Sequence, residues 1–461
     1  MGNQSEVVDL VVTNALHLVT MDDDRREIPG GWVAVRDGLV TAVGASTDPA
    51  PSAQRVIDAS ECVVTPGFVN THHHMFQNLT RAYPPMTQAP LFEWLQSLYP
   101  LWASLDEEAA YLAAWIGLAE LAVGGCTTST DHLYLHPRGA GDLITASINA
   151  AKELGMRFHP THGSMNLSEK DGGLPPDNVV RDDDEILAES QRLVEVHHDR
   201  SHGAMVRIAL APCSPFTSTP ELMRTSAELA EKLDVRLHTH LAENSQDDDF
   251  SMEKFGMMPV DQFAEIGWLQ ERSWVAHAVR LRDVDISRMA THGVGVAHCP
   301  SSNMILASGI APVPAMREAG MAVGLGVDGS SSADSASMWQ EARLAMLLGK
   351  VGSGADSTNA RDSIEMATRG GARCLGREGE IGQLSVGAAA DIVLWRMDDL
   401  SFAGAEADPV EGLLRGGPTR ADTTIVNGNV VVEHGRPVNP DLADRVARHR
   451  AAARRIQRLD E

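Results

Sequence analysis

The chain has 461 residues, of which 43% are hydrophobic and 22% charged, a composition typical of a folded globular protein. Its 38 Lys and Arg residues against 63 Asp and Glu residues give a formal charge of −25, which argues against a nucleic-acid partner because such a surface repels phosphate backbones. The chain has no apolar run long enough for a membrane span. Five dispersed cysteines and an amino terminus without a secretory pattern predict a cytoplasmic protein with reduced thiols.

The middle of the chain alternates apolar runs with helical patterns. The apolar runs predict eight buried strands, at residues 62–71, 126–135, 156–165, 205–214, 234–243, 273–279, 295–302 and 321–330. Helices are predicted between them, at residues 106–125, 182–198, 219–233 and 283–293. Eight strands that alternate with helices predict an α/β fold, a (β/α)8 TIM barrel, with a doubly wound sheet as the alternative.

Short strand-like runs broken by turns occur at both ends of the chain, in residues 8–58 and 383–436. We therefore expect both termini to build one composite β-sandwich domain beside the barrel. The predicted division is 1–62 and 381–440 for the composite β domain, 63–380 for the barrel and 441–461 for a carboxyl-terminal helix. This last helix is basic and amphipathic, and packing on its own protein is favoured over a membrane surface or a calmodulin-type groove.

Ionisable side chains collect where predicted strands end. His72 and His74 follow the first strand with the two-residue spacing that places both on one face, His240 ends the fifth strand, and Asp328 ends the eighth. Active sites of barrels lie at the carboxyl ends of the strands. Three imidazoles and a carboxylate suit Zn²⁺, and Fe²⁺ is the alternative.

Other histidines have weaker claims as ligands. They are His73, His132, His159, His162 and His298. His238 shares a face with His240, and we expect it to support the ligands or line the pocket. Two-metal barrels of this kind need a bridging carboxylate, often a carboxylated Lys, on the fourth strand. Residues 211–215 (APCSP) contain no Lys, which favours one metal ion per chain.

Four of these segments, PGFVNTHHHMFQ, LHTHLAE, VAHAV and GLGVDGSSS, resemble the mononuclear deaminase branch of the amidohydrolase superfamily. The segment GQLSVGAAADIVLW resembles that superfamily's signature for its composite β domain. Within the branch, THHHMFQNLTRAYPP, LFEWLQSLYPLWA, GSMNLSEKDGGLPPD, ALAPCSPF and HCPSSNMILASGI resemble the 8-oxoguanine deaminases. The similarity covers nearly the whole chain. It implies a small heterocyclic substrate and a homo-oligomer.

The resemblance implies hydrolytic deamination of an amino-substituted oxo-purine, 8-oxoguanine to urate and ammonia. Triazine aminohydrolases or chlorohydrolases of the hydroxyatrazine type, and isoxanthopterin or guanine deaminases, are the alternatives. A non-catalytic scaffold is disfavoured because it has no need of a complete ligand set. Ala333 stands where those relatives usually carry Asn, which leaves the ring less certain than the chemistry.

Roles for individual residues follow from the chemistry and the resemblance together. Asp328 is expected to accept the proton of the attacking water, and Glu243 to protonate the ring nitrogen. By resemblance, His277 orients the nucleophile and Gln77 reaches the amide edge of the substrate. Tyr134 is a candidate pocket wall. Cys213 stands where guanine deaminases carry a purine-binding Arg, which argues against plain guanine.

Overall fold

The structure is a computed structural model that describes residues 7–333, 335–417 and 419–459. The outermost residues of the two predicted terminal segments, 1–6 and 460–461, lie outside this description. Within it, no helix combines the length and the apolar character required to cross a lipid bilayer.

Eight parallel strands close into a barrel in chain order, which confirms the predicted fold class. We number them β1 to β8: Phe68–Asn70, Cys126–Leu133, Arg157–Ser164, Ala209–Pro212, Arg236–Leu241, Ser273–His277, Gly295–His298 and Val323–Leu325. Neighbouring strands pair in parallel all the way round, and Leu325 of β8 pairs with Asn70 of β1 to close the ring. All eight carboxyl ends therefore open on the same face.

Helices surround the barrel and fill its connections. The α-helices are Leu91–Trp102, Glu107–Val123, Leu143–Leu154, Asp183–His197, Pro220–Leu233, Ser245–Phe255, Pro259–Glu265, Asp283–Thr291, Pro300–Ile305, Val313–Glu318, Met338–Ser353, Ala360–Glu365, Gly371–Cys374, Pro409–Arg415 and Leu442–Ile456. Short 3-10 helices lie at Met75–Thr80, Pro84–Met86, Glu169–Asp171 and Leu400–Phe402, and a π-helical turn at Met366–Gly370. The helices predicted at 106–125, 182–198, 219–233 and 283–293 are found within two residues of those bounds.

Two of the predicted strands are each divided in the structure. The run 62–71 forms Cys62–Pro66 and then β1, with a break at Gly67, where a Cβ atom would lie 2.1 Å from Thr127 Oγ1. Only glycine lets the chain pass β2 this closely. The run 321–330 contains β8 and, after a break, the short strand Asp328–Gly329. This second strand pairs in parallel with His73–His74 as a separate two-stranded sheet.

Strands from both ends of the chain form two further sheets. The smaller sheet has the order Leu39–Gly44, Trp32–Arg36, Val8–Thr13 and Ala53–Asp58. The larger has the order Arg436–Pro437, Asn429–Glu433, Thr423–Val426, Ile392–Arg396, Cys62–Pro66, His17–Val19 and Glu27–Ile28. One buried apolar cluster joins Val33 of the smaller sheet to Val64 and Ile392 of the larger. The two termini therefore share one β structure, as the repeated texture of the sequence predicts.

The carboxyl-terminal helix Leu442–Ile456 packs against the helix Glu107–Val123 and the 3-10 helix Met75–Thr80. His449 Nε2 lies 2.7 Å from Asn78 Oδ1, and the Gln457 amide donates to the carbonyl of Leu79. The favoured interpretation, packing on the chain itself, agrees with these contacts. The helix thereby stabilises the segment that follows His72, His73 and His74.

Candidate active site

The four predicted metal ligands converge at the carboxyl-terminal mouth of the barrel. His74 Nε2 lies 3.1 Å from His240 Nε2 and 3.4 Å from Asp328 Oδ1. His72 Nε2 lies 3.3 Å from the same carboxylate oxygen. All four side chains are buried. The closing of the barrel thus brings together residues that lie as far apart as 72 and 328 in the sequence.

Backbone carbonyls orient two of these imidazoles through their other ring nitrogen. His74 Nδ1 lies 2.7 Å from the His132 carbonyl oxygen, and His240 Nδ1 lies 2.6 Å from that of Cys213. A carbonyl only accepts, so each Nδ1 carries the proton and donates. Each Nε2 therefore presents its lone pair to the centre of the cluster, the arrangement in which histidine binds a metal.

The third imidazole is oriented by another histidine. His72 Nδ1 lies 2.8 Å from His238 Nε2, and His238 Nδ1 lies 2.9 Å from the carbonyl oxygen of Trp274. The Trp274 carbonyl accepts a hydrogen bond from His238 Nδ1–H, so the Nε2 of the neutral His238 ring carries no proton. His238 Nε2 therefore accepts, and His72 Nδ1–H donates. The structure thus places His238 behind the predicted ligand His72 and away from the centre of the cluster.

The donor set fits a divalent cation. His72 Nε2 is buried and makes no hydrogen bond with any described residue, although buried polar atoms are rarely left without a partner. Burial lowers the pKa values of His72, His74 and His240, so the three imidazoles are neutral, as metal ligands must be. Three neutral nitrogens and one carboxylate oxygen are a donor set that zinc accepts.

Two further histidines lie against the cluster. His132 from β2 has donor atoms within 4.8 Å of those of His72, His74 and His240, while His277 groups in the same way with His72 and Asp328. His132 Nδ1 is buried without a hydrogen-bond partner, and its Nε2 lies 3.0 Å from the Ala211 carbonyl oxygen. His132 has only a weak claim as a ligand in the sequence analysis, although its place near the end of β2 could have strengthened it.

The backbone is strained where the strands leave the barrel. His277 has φ +72°, Asp328 has φ +57°, and Ala242 and Ala278 have φ +52° and +49°. Non-glycine residues seldom occupy this left-handed region, which costs about 1–3 kcal/mol each. Such outliers cluster at functional sites because the surrounding structure holds side chains in positions that relaxed loops do not offer.

The pKa values of two carboxyl groups, Asp328 in the cluster and Glu243 beside it, are shifted in opposite directions. Burial raises the pKa of Glu243 well above its ordinary value, and the charge of Asp328 adds to this rise. Burial also opposes ionisation of Asp328, but its contacts with His72 and His277 hold its pKa well below the ordinary range. One carboxyl is therefore kept protonated beside one that is kept ionised, an arrangement suited to acid and base roles.

Glu243 lies outside the ligand set, although it is close to it. Glu243 Oε2 lies 3.7 Å from His277 Nε2, which in turn lies 3.8 Å from Asp328 Oδ2. His277 Nδ1 lies 3.0 Å from Asn303 Oδ1, so Asn303 accepts and fixes the ring. Sequence reasoning missed Asn303, because only the observed hydrogen bond connects it to His277.

A cavity opens beside the cluster. The predicted residues Gln77, Tyr134, Cys213 and Glu243 all lie in its wall. Apolar and aromatic side chains make up most of the rest: Leu91, Trp94, Leu95, Tyr99, Phe216 and Leu306. The cavity therefore suits a flat, largely apolar ring that carries a few polar groups.

The polar residues in and near this wall differ in hydrogen bonding and in protonation state. Gln77 Oε1 is buried and lacks a hydrogen-bond partner, so it is available to accept from a ligand. Burial raises the pKa of the Cys213 thiol to about 12, which keeps it neutral. Ala333 is buried near this wall, and its backbone N–H donates to the Gly329 carbonyl. Ser332 also lies in the wall, with Oγ 3.5 Å from Asp328 Oδ2, and was not predicted.

Comparisons with known proteins agree with this geometry. The model of the amidohydrolase family matches residues 63–431. The chain is 48% identical to the 8-oxoguanine deaminase of Pseudomonas aeruginosa over 92% of this chain and 94% of that protein. It is 36% identical to the hydroxydechloroatrazine ethylaminohydrolase of Pseudomonas sp. strain ADP, over 91% and 89% of the two chains. It also resembles the crystal structure of the atrazine chlorohydrolase of Arthrobacter aurescens TC1 complexed with zinc, with a TM-score of 0.92, 34% identity, and coverage of 96% and 100%.

Proposed function

We propose, given that this chain belongs to the amidohydrolase family, that it is a zinc-dependent deaminase that converts 8-oxoguanine to urate and ammonia. The family predicted from the sequence motifs is confirmed by the comparisons. One observation carries the proposal: three imidazole Nε2 atoms and the Asp328 carboxylate converge beside a pocket whose wall holds a further carboxyl, Glu243. The relative most similar in sequence among those described above is an 8-oxoguanine deaminase.

The proposed cofactor is one zinc ion per chain, held by His72, His74, His240 and Asp328. When bound, zinc lowers the pKa of an attached water from about 15.7 towards 7 and so supplies a nucleophile at neutral pH. The proposal of a single ion rests on β4, which ends at Pro212 without a lysine that could bridge two metals. A solved relative was crystallised with zinc, whereas Fe²⁺ is the alternative for the same donors.

The side chains of the site divide the proton transfers between them. Asp328 is ionised and accepts a proton from the attacking water. Glu243 is protonated and donates to the ring nitrogen next to the carbon under attack, whose C–N bond to the amino group then breaks. The proton held by Asp328 passes to the departing amine, which leaves as ammonia. The hydroxyl added by the water returns its proton to Glu243 as the carbonyl of the product forms, so both carboxyl groups regain their starting states. His277, fixed by Asn303, hydrogen-bonds to the attacking oxygen and orients it.

The pocket favours a ring with an amide edge. Gln77 Oε1 is buried without a partner and accepts from a ring N–H, while its side-chain NH₂ donates to a ring carbonyl. The neutral Cys213 thiol offers no charge to the ligand, and Tyr134 packs edge-on to His74 with ring centroids 5.0 Å apart. A ligand that lacks a matching polar group leaves a buried partner unpaired, at about 1–3 kcal/mol.

Ammonia release from a panel of heterocycles tests the substrate. We expect kcat/KM for 8-oxoguanine to exceed that for guanine by at least about 100-fold, which is about 2.7 kcal/mol. The panel includes isoxanthopterin and an amino-triazine. Comparable rates on guanine and 8-oxoguanine, or release from the amino-triazine alone, contradict the assignment of the ring and leave the metal chemistry standing.

A triazine aminohydrolase or chlorohydrolase is the second candidate. The apolar wall formed by Leu91, Leu95, Phe216 and Leu306 favours it, because alkylamino substituents need apolar surface. The buried, unpartnered Gln77 oxygen favours the oxo-purine instead, since a substituted triazine offers it fewer N–H donors. Measuring chloride and alkylamine release alongside ammonia separates the two candidates.

A further inference from the structure

A second cavity lies at the amino-terminal end of the barrel, opposite the candidate active site. We call it the arginine chamber, defined by six basic residues of its wall: His159, His198, Arg200, Arg207, Arg236 and Arg272. One acidic residue, Asp234, also lines it. Four of the six are arginines, which concentrate positive charge in one cavity of a chain with a formal charge of −25.

Arg236, the first residue of β5, is a partly exposed cation without a counter-ion. Its Nη2 donates to the Glu271 carbonyl at 3.0 Å, and its Nε is buried and unpartnered. Among the residues that the structure describes, no carboxylate lies within ion-pair distance of it. Burial lowers its pKa to about 10, so it still carries its charge at neutral pH. A guanidinium that lies in a cavity wall, with a buried Nε and no carboxylate partner, is suited to bind an anion.

His159 from β3 provides a second, independent sign of a ligand. Its side chain is buried, with a relative exposure of 1%, and neither ring nitrogen has a hydrogen-bond partner in the described part of the chain. Burial and the charges of Arg377 and Arg207 hold its pKa well below the ordinary value, so the ring is neutral. A neutral imidazole has one N–H to donate. In the wall of a cationic cavity, that donor suits an anionic oxygen.

The neighbouring carboxylates already have partners. Glu380 accepts from Arg377 at 2.5 Å and from Arg207 at 3.0 Å, and Asp234 pairs with Arg272 at 2.9 Å. Arg200 and Arg236 each donate to a backbone carbonyl, of Leu233 and Glu271, and have no carboxylate within ion-pair distance among the described residues. Arg200 and Asp234 are exposed, which gives small ions a route into the chamber from solvent.

The chamber is separate from the metal cluster. The ring of His238 stacks on Trp274 with centroids 4.4 Å apart, and Trp274 lies 6.1 Å from the ring of His159. The side chains of His238 and Trp274 form a layer between the chamber and His72. His238 is hydrogen-bonded to His72 on the far side of this layer. A ligand in the chamber accordingly has no access to the reacting atoms.

We propose that the arginine chamber binds a tetrahedral oxyanion, inorganic phosphate, through Arg236, His159 and Arg200. Guanidinium groups form paired, charge-assisted hydrogen bonds with phosphate oxygens. This site does not depend on the proposed deaminase function, because it lies at the other end of the barrel and shares no residue with the pocket.

Titration calorimetry of the full chain with inorganic phosphate, against sodium chloride at equal ionic strength, tests the proposal. We expect one saturable phosphate per chain and binding at least about tenfold weaker in Arg236→Gln, since hydrogen bonds to charged groups contribute about 1.5–3 kcal/mol. Arg200→Gln, at an exposed position, tests the same wall if Arg236→Gln does not fold, and we expect it to weaken binding severalfold. Arg224→Gln, on an exposed helix face, should bind as the wild type does.

Phosphate also binds metal centres, so the site of binding must be distinguished. His240→Ala should retain the phosphate binding of the chamber. The proposal is overturned if the wild type shows no saturable binding, if Arg236→Gln and Arg200→Gln both bind normally, or if His240→Ala alone abolishes binding. The last result would place phosphate at the metal cluster.

Discussion

The two ends of the barrel use the same strands for different chemistry. Along β5, Arg236, His238 and His240 follow each other at two-residue spacing and share one face. Arg236 lies in the arginine chamber, His238 supports a ligand, and His240 belongs to the metal cluster. The two-residue spacing determines which side chains face the barrel interior. The position along the strand determines which site each of them lines.

The two ends of the barrel also hold charged groups of opposite sign: a carboxylate at the carboxyl end and arginines at the amino end. At the carboxyl end, neutral imidazoles surround one ionised carboxylate, Asp328, and the set fits a cation. At the amino end, Arg157 pairs with Asp391 of the composite β region, whereas Arg236 has no carboxylate partner in the described ranges. Paired charges there stabilise the fold, and the unpaired one indicates a ligand. The predictions below test this division.

Loss of a ligand at the carboxyl end should have the largest effect. His240→Ala removes one of three imidazole donors, so we expect metal content and deaminase activity to be lost together, with activity reduced by more than about 10³-fold. That exceeds the 10–100-fold loss usual for supporting residues. Elemental analysis and ammonia release measure it. His292→Ala, an exposed histidine, is the matched control, and full activity without bound metal contradicts the account.

Loss of the proton donor should spare the metal. Glu243→Gln preserves size and burial but cannot protonate the ring, so we expect kcat to fall by about 10²–10⁴-fold at unchanged metal content. Steady-state kinetics and elemental analysis on one preparation check this. Glu253→Gln, on the exposed side of the next helix, serves as control. A variant that keeps more than about a tenth of the wild-type kcat is incompatible with the proposed role.

At the amino end, the paired charge should matter for stability. Asp391→Ala leaves Arg157 buried without its partner, and breaking a buried pair from one side costs about 3–5 kcal/mol. Denaturant unfolding measures the change in the free energy of unfolding. Glu433→Ala breaks the exposed pair with Arg55 and should cost at most about 1 kcal/mol. Equal losses in the two variants would show that burial does not set the difference.

Between the two ends, His238 should act through its neighbour. His238→Ala removes the support of His72, so we expect zinc affinity to fall by about 10–100-fold. Excess zinc should then restore most of the kcat, which a variant that is merely unfolded cannot show. Competition with a chelator gives the affinity. An unchanged affinity would mean that His238 only fills the core.

Much of this molecule could be predicted from local sequence. The alternation of apolar runs and helical patterns predicts the barrel, and the two-residue spacing of His72 and His74 predicts their common face. The sequence could not show that the run 62–71 is two strands, because Val63, Val64, Phe68 and Val69 are equally apolar. The division depends on the close passage of Gly67 against Thr127, which is a tertiary contact.

The rest of the site depends on distant residues. His132 and Asn303 contact the cluster only after the barrel closes, and nothing beside them in the sequence indicates those contacts. The arginine chamber could not be predicted at all, because ordinary arginines at strand starts are solvated. Only the structure shows that Arg236 lines a cavity and that its neighbours' carboxylates are already paired.

The most direct test of the central claim is a zinc titration of the metal-free chain, followed by ammonia release from 8-oxoguanine. We expect no release without metal and a linear rise that reaches its maximum at one equivalent of zinc per chain. Full activity in the metal-free protein, or a maximum reached only at two equivalents, would contradict the claim.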